Sequence, residues 1–196
     1  IWLWVGNQKD LDESFRMSLF NVVSIMTGTG FKTEAFDSWG SFSIPIFFFI
    51  MFIGGCAGST TCGIKIFRFQ VLYAAAKTQF ENLAHPHGVF IPYYNGNPIS
   101  DEVIKSVMSF FFVFGMTFAL LAVGLALMGI DFLTAVSAAA SAISNVGPGL
   151  GPIIGPEGNY SSLPDSAKWL LSAGMLLGRL ELFTVIVLFT RAFWKA

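Results

Sequence analysis

The chain has 196 residues, 54% hydrophobic and 12% charged, with a formal net charge of −1. Soluble domains carry roughly 25% charged residues, so half of the usual solvating charge is missing and a membrane class is favoured. The near-neutral charge, with no basic stripe, argues against nucleic acid as a partner, and no nucleophile–His–carboxylate set, Walker loop or dinucleotide fingerprint is present.

In chain order, "IWLWVGN" (Ile1 to Asn7) has no Met and no basic flank, which is not a signal peptide pattern; it is expected to be the tail of a helix in a longer chain. Ser14 to Met26 is helix-like but too short to cross a bilayer, and it ends in the glycine break "TGTGF". "FSIPIFFFIMFI" is apolar for only a dozen residues before "GGCAGSTTCG", Gly54 to Gly63, after which helix character returns at "IKIFRFQVLYAAAKTQF". This predicts one crossing element broken in the middle. Cys56 and Cys62 match no common zinc spacing and are expected to be small buried hydrophobes. His85 to Ser100, rich in Pro, Gly and Asn, predicts a connecting loop, and its bare His85-Pro-His87 is a poor metal site.

Val103 to Ile130 is the clearest full span, since about 20 apolar residues cross about 30 Å of hydrocarbon. The Phe-rich run Phe110 to Phe118 within it is expected to face lipid or other helices. Phe132 to Ser144 is a second short helix, ending in "SNVGPGLGP". Asn159 opens an "NYS" glycosylation pattern, which a bacterial chain would generally ignore. Ala167 to Trp194 is predicted as a last span, interrupted by Arg179 and Glu181, with Trp169 and Trp194 suited to the two interfacial belts.

The order partial span, short helix, glycine break, span is thus followed by full span, short helix, glycine break, span. Gly30 and Gly147, Phe15 and Phe132, and Ser24 and Ser141 all keep an offset of 117 residues. The expected division is residues 1–84, a cytoplasmic linker 85–100, and residues 101–196. With the short helices entering from outside, Lys65, Arg68, Lys77, Lys105, Arg191 and Lys195 fall inside. Lys9, Arg16, Lys32 and Lys168 fall outside with most of the acids, a modest positive-inside bias.

Irregular backbone at membrane depth costs several kcal/mol per unpaired group unless it lines water or is buried in protein. A permeating cation can be the missing partner: carbonyls aimed at an axis replace the water that the ion sheds. Glycine permits the required backbone, and the C-terminal end of each short helix adds about half a negative charge. Taken singly, either break reads as an ordinary helix C-cap; the pair predicts a pore.

"SLFNVVSIMTGTGF", "FIGGCAGSTTCGIKIFRFQVL", "ISNVGPGLGPIIGPEGNY" and "LLGRLELFTV" together resemble the C-terminal half of the Trk/Ktr/HKT superfamily of potassium transporters, most closely its bacterial membrane subunits. The resemblance covers nearly the whole chain. It implies an all-α membrane protein built of membrane–pore-helix–membrane repeats of potassium-channel-like architecture, two of an expected four. It places ion-binding filter positions at Thr27, Gly28, Thr29, Gly30 and Phe31 and at Ser144, Asn145, Val146, Gly147 and Pro148, with potassium held by the backbone of Thr29, Gly30, Val146 and Gly147. It makes Gly54, Gly55, Gly58 and Gly63 an intramembrane gate, with Arg179 as a cationic barrier below the filter and Lys65 at the base of the gate.

Two of these charges have plainer readings. Arg179 could be half of a buried pair with an acid, although Glu181 is on a different helix face and is better read as structural. Lys65 could be a lysine snorkelling to the interface. The resemblance further implies potassium as the transported ion with no cofactor on this chain, homodimers of full-length chains in a bacterial inner membrane, and a cytosolic TrkA-like regulatory subunit binding the nucleotide. The competing expectation is a membrane-embedded enzymatic or structural subunit whose glycines serve only helix packing.

Overall fold

The computed structural model describes residues 10–180, 182–188 and 193–195. The expectations for Ile1 to Asn7, Lys9, Glu181 and Arg191, and for the side chain of Lys195, lie outside the described residues.

Helix α1, Leu11–Met26, starts where Asp10 accepts the Leu11 amide, and Asp12 and Glu13 in its first turn suit the positive end of the helix dipole. Helix α2, Ser43–Phe52, carries Pro45 in its first turn, where no intrahelical amide bond is lost. It stops at Ile53, whose backbone turns extended. Helix α3, Ile66–Ala84, resumes beyond the Gly54 to Gly63 break, so the broken crossing element is present as two helices with irregular chain between them.

The connection after α3 is not simply a loop. Tyr93–Tyr94 (β1) and Asn97–Pro98 (β2) pair antiparallel around Asn95 and Gly96, both at positive φ. An Asn-Gly pair is the preferred sequence for the type I′ hairpin turn, so the local chemistry accounts for this correction.

Helix α4, Asp101–Leu127, is the one helix among the described residues long and apolar enough to cross a membrane. Helix α5, Phe132–Ser144, begins where Asp131 accepts the Thr134 amide and is buried almost throughout. Helix α6, Asp165–Arg179, is followed by Leu180 at φ −90° and ψ 13°, and then by α7, Leu182–Leu188. The last span predicted from Ala167 is therefore two helices. Gly178, a poor helix former, immediately precedes the end of α6, and the Arg179 side chain is bonded across to the glycine loop.

Helix α5 is the hub, with α4 and α6 against it and α2 on a further side. Its Ala- and Ser-rich surface is what lets the neighbours come close. Phe110, Phe114, Leu121 and Leu125 of α4 meet Ala135, Ala138, Ala139 and Ala142 of α5 and Leu171 of α6 in one core. A second core gathers Ile25, Phe36, Trp39, Phe47 and Met51 around Ala140, Val146 and Leu150. It joins the two glycine breaks to one another through α2.

Candidate functional site: two facing turns and a glycine loop

The turns that end α1 and α5 face each other. A Cβ placed on Gly30 would lie 2.5 Å from the Val146 carbonyl oxygen and 3.2 Å from Pro148 Cδ, and one placed on Gly147 would lie 3.9 Å from the Gly30 Cα. A Cβ on Gly28 would lie 3.3 Å from the Asn145 carbonyl oxygen. Two strands of backbone therefore run side by side with no room for side chains between them, and the carbonyls of Asn145 and Val146 look across toward Gly28 and Gly30.

Their conformations repeat as well. Gly28 and Gly30 have φ of 68° and 76°, while Asn145 and Gly147 have 52° and 111°. These are the positions related by the 117-residue offset of the sequence. Left-handed residues alternating with ordinary ones turn successive peptide planes the same way, instead of alternating them as a strand does, and only Gly and Asn adopt such φ readily.

The amides of both turns are bonded backward into the preceding helix. Thr29 and Gly30 donate to the Ser24 carbonyl at 2.9 and 3.4 Å, and Val146 donates to the Ser141 carbonyl at 3.0 Å. Gly147 donates to the Ser141 hydroxyl at 3.1 Å. With the donors used inside the protein, the acceptors are left for the other side of the chain. Of the remaining sequence-predicted positions, the Thr27 hydroxyl bonds the Val23 carbonyl and the Thr29 hydroxyl, Phe31 is exposed, and the Ser24 hydroxyl donates to the Phe31 carbonyl at 2.5 Å. Ser144 is buried, its hydroxyl unpaired among the described residues. Asn145 donates from its side chain to the Met175 carbonyl, which ties the left-handed cap to α6.

The glycine loop closes on itself. Ile53 and Ile64 form a parallel bridge, with Gly54 donating to the Ile64 carbonyl at 2.9 Å and Ile64 to the Phe52 carbonyl at 2.8 Å. Loops of this size with adjoining ends are compact units that move as bodies. Inside it, Gly55 donates to the Thr61 hydroxyl, which pairs with Ser59. Gly58 stands in open space, and Gly63 has φ 80°. Lys65 Nζ donates to the Ala57 carbonyl at 3.2 Å and so clips the base of the loop.

Arg179 crosses to this loop, donating from one nitrogen to the Thr60 carbonyl at 3.1 Å and to Cys62 Sγ at 3.2 Å. Among the described residues it is bonded to the loop and not to a carboxylate. A cavity of about 240 Å³ separates loop, α3, α4 and α6, and Lys65, Arg68 and Arg179 all line it without an acid among the described lining residues. At about 30 Å³ per water, such a space holds several.

Cys56 and Cys62 are not the buried hydrophobes expected: Cys56 is exposed and Cys62 half-buried. Both sit on a loop that turns its short side chains outward instead of packing them. Sequence reasoning also passed over Arg68, whose guanidinium lies 3.6 Å from the centroid of Phe110, a cation–π contact that ties α3 to α4. It passed over Tyr160 entirely, whose hydroxyl donates to the Gly147 carbonyl at 2.9 Å. His85 and His87 belong to no metal-ligating cluster among the described residues.

Backbone acceptors brought together at the ends of half-length helices, beside an apolar crossing helix, define a helical membrane protein with a carbonyl-lined constriction. The chain belongs to the TrkH family of cation transport proteins, whose pattern it matches over residues 7–195. It is 52% identical over 176 residues to the Trk system potassium uptake protein TrkI of Halomonas elongata, covering 90% of this chain and 36% of that protein. It is 38% identical over 184 residues to the Trk system potassium uptake protein TrkH of Vibrio parahaemolyticus, covering 94% and 37%. The crystal structure of the potassium transporter TrkH from Vibrio parahaemolyticus matches the fold with a TM-score of 0.89 at 36% identity, over 98% of this chain and 41% of that one. The chain thus spans well under half the length of these relatives. The family is one of transporters, not enzymes.

Proposed function

We propose that this chain forms two of the four walls of a potassium-conducting pore in a bacterial plasma membrane. In this reading it comprises two membrane–pore-helix–membrane repeats, residues 1–84 and 101–196, with the cytoplasmic segment 85–100 between them. The observation that carries the reading is the facing pair of turns: two left-handed positions in each, related by one sequence offset, with their amides tied back and their carbonyls looking across. The backbone of Thr29, Gly30, Val146 and Gly147 would replace the hydration shell of potassium, and the C-terminal ends of α1 and α5 would add negative potential at the same place. The printed names of the relatives, potassium uptake proteins, support the choice of ion.

Below the filter, the loop Gly54 to Gly63 acts as the gate and Arg179 as the charge that deters cations while the loop stands in place. Transport down an electrochemical gradient needs no covalent step, so no residue here takes a catalytic role. Full-length chains pair as homodimers, and a TrkA-like cytosolic subunit carries the nucleotide that biases the loop.

The test is ion flux through the full-length protein in liposomes. Gly147→Ser puts a side chain at φ 111° and between the two strands, so potassium and rubidium uptake should fall by more than about tenfold, on the cost of a strained non-glycine residue. Unaltered rate and selectivity in a properly assembled variant would remove Gly147 from the filter.

A further inference from the structure

Gly147 is held at both of its polar ends. Its amide donates to the Ser141 hydroxyl at 3.1 Å, and its carbonyl accepts the Tyr160 hydroxyl at 2.9 Å. The Tyr160 and Ser141 side chains also bond to each other, which closes a ring of three hydrogen bonds around one residue. Ser141 is fully buried in α5, and the Tyr160 ring packs on the core formed by α4, α5 and α6. Both clamps are thus fixed by elements outside the turn itself.

The other turn is built differently. Ser24, the counterpart of Ser141 at the same offset, donates to the carbonyl of Phe31, one residue beyond Gly30. Among the described residues no side-chain hydroxyl bonds the Gly30 carbonyl.

We infer that Tyr160 is a positioning residue for ion selectivity, whose hydroxyl fixes the direction of the Gly147 carbonyl and limits how far that oxygen follows a cation. The inference rests on the transport reading above. A carbonyl oxygen has two lone pairs, so the phenol does not remove it from an ion's reach. It does hold the oxygen at a set place and takes part of its negative charge. A fixed oxygen suits an ion of one radius; one free to swing can close on a smaller, more strongly hydrated ion. Tyr160 therefore favours potassium over sodium, and it acts through Gly147 without itself needing to touch the ion.

The experiment measures the potassium-to-sodium permeability ratio of full-length protein in liposomes under bi-ionic conditions, for the parent, Tyr160→Phe, and a protein with 3-fluorotyrosine at position 160. Phe keeps the ring and its packing. The parent should carry potassium, and Tyr160→Phe should lower the ratio roughly three- to tenfold, the factor that corresponds to one hydrogen bond of ordinary strength. The fluorinated phenol is a stronger donor and should hold or raise the ratio. Unchanged ratios in both variants would overturn the role of Tyr160 while leaving transport intact. Should Tyr160→Phe not assemble, a fluorotyrosine protein with a lowered ratio would overturn it on its own. A parent protein that carried no cation would instead overturn the transport reading on which the inference depends.

Discussion

A guanidinium placed late in a predicted membrane span is expensive, about 2.5–3.5 kcal/mol on insertion scales at a helix centre, and Arg179 offsets that cost by reaching the glycine loop. It does two things there at once. Its charge stands beside the cavity under the facing turns, and its bonds to Thr60 and Cys62 hold the loop to α6. The two roles separate by substitution, because lysine keeps the charge but lacks the planar fork that spans a carbonyl and a thiol. Arg179→Ala should raise potassium leak through the full-length protein by about tenfold or more, given the strength of hydrogen bonds from a charged donor. Arg179→Lys should leak at an intermediate level. A silent Arg179→Ala in a flux assay would leave the residue a packing element only, and a silent Arg179→Lys beside a leaky Arg179→Ala would assign the effect to charge alone.

At the scale of elements, the short helix α5 was legible in full. Asp131 ahead of it, an apolar run of helical length, and Asn145 behind it gave the bounds at which it appears, Phe132–Ser144. The glycine breaks and the interruption of the second crossing element were legible for the same reason: Gly-rich chain cannot continue a helix inside an apolar run. What could not be read is whatever distant chain decides. The contact of Arg179 with Thr60 joins residues 119 apart in sequence, and nothing local in "LGRLEL" signals that α6 ends there. Tyr160 likewise reaches Gly147 across a folded loop. The hairpin was a different failure, since "NG" between two short extended pieces is a local signal that the abundance of Pro and Asn obscured.

Helix packing supplies a sharper test of why α5 is made of small residues. A Cβ on Gly178 would collide with the Ile143 carbonyl, whereas one on Gly115 meets nothing within 4 Å. Gly178→Leu should push α6 off α5 and abolish the assembled protein. Gly115→Ala, in the exposed run of a helix, should be neutral or stabilising by up to about 1 kcal/mol. Size-exclusion profiles and thermal midpoints in detergent check both, and a Gly178→Leu protein that assembled normally would contradict the close approach.

Over the whole molecule, the two halves are also joined outside the filter, where the short turn Phe36–Ser38 after the first break meets the segment after the second. Asp37 lies there beside Glu157 on the wall of a cleft of about 500 Å³. Burial raises its carboxyl above the usual value of 3.8, the negative charge of Glu157 adds to this, and backbone amides including that of Gly151 pull the other way without prevailing. A carboxyl raised in the folded state binds its proton more tightly there than in the unfolded chain. Its contribution to stability is therefore unfavourable above the folded value, is relieved as pH falls through that value, and is constant below 3.8. Asp131 has the opposite sign: its bonds to Thr134 lower it, so its contribution is present above 3.8 and is lost as pH falls through the lowered value. The two windows lie on opposite sides of the ordinary carboxylate range. Between the raised value and 3.8, the thermal midpoint should thus climb as pH falls from the Asp37 contribution. Asp37→Asn should be more stable than the parent at neutral pH and should lose that slope, while Asp131→Asn should keep it. Midpoints recorded by intrinsic fluorescence of the full-length protein across mildly acidic pH decide the matter, and a slope identical in parent and Asp37→Asn would show that this carboxyl does not couple the two outer segments to the proton concentration outside.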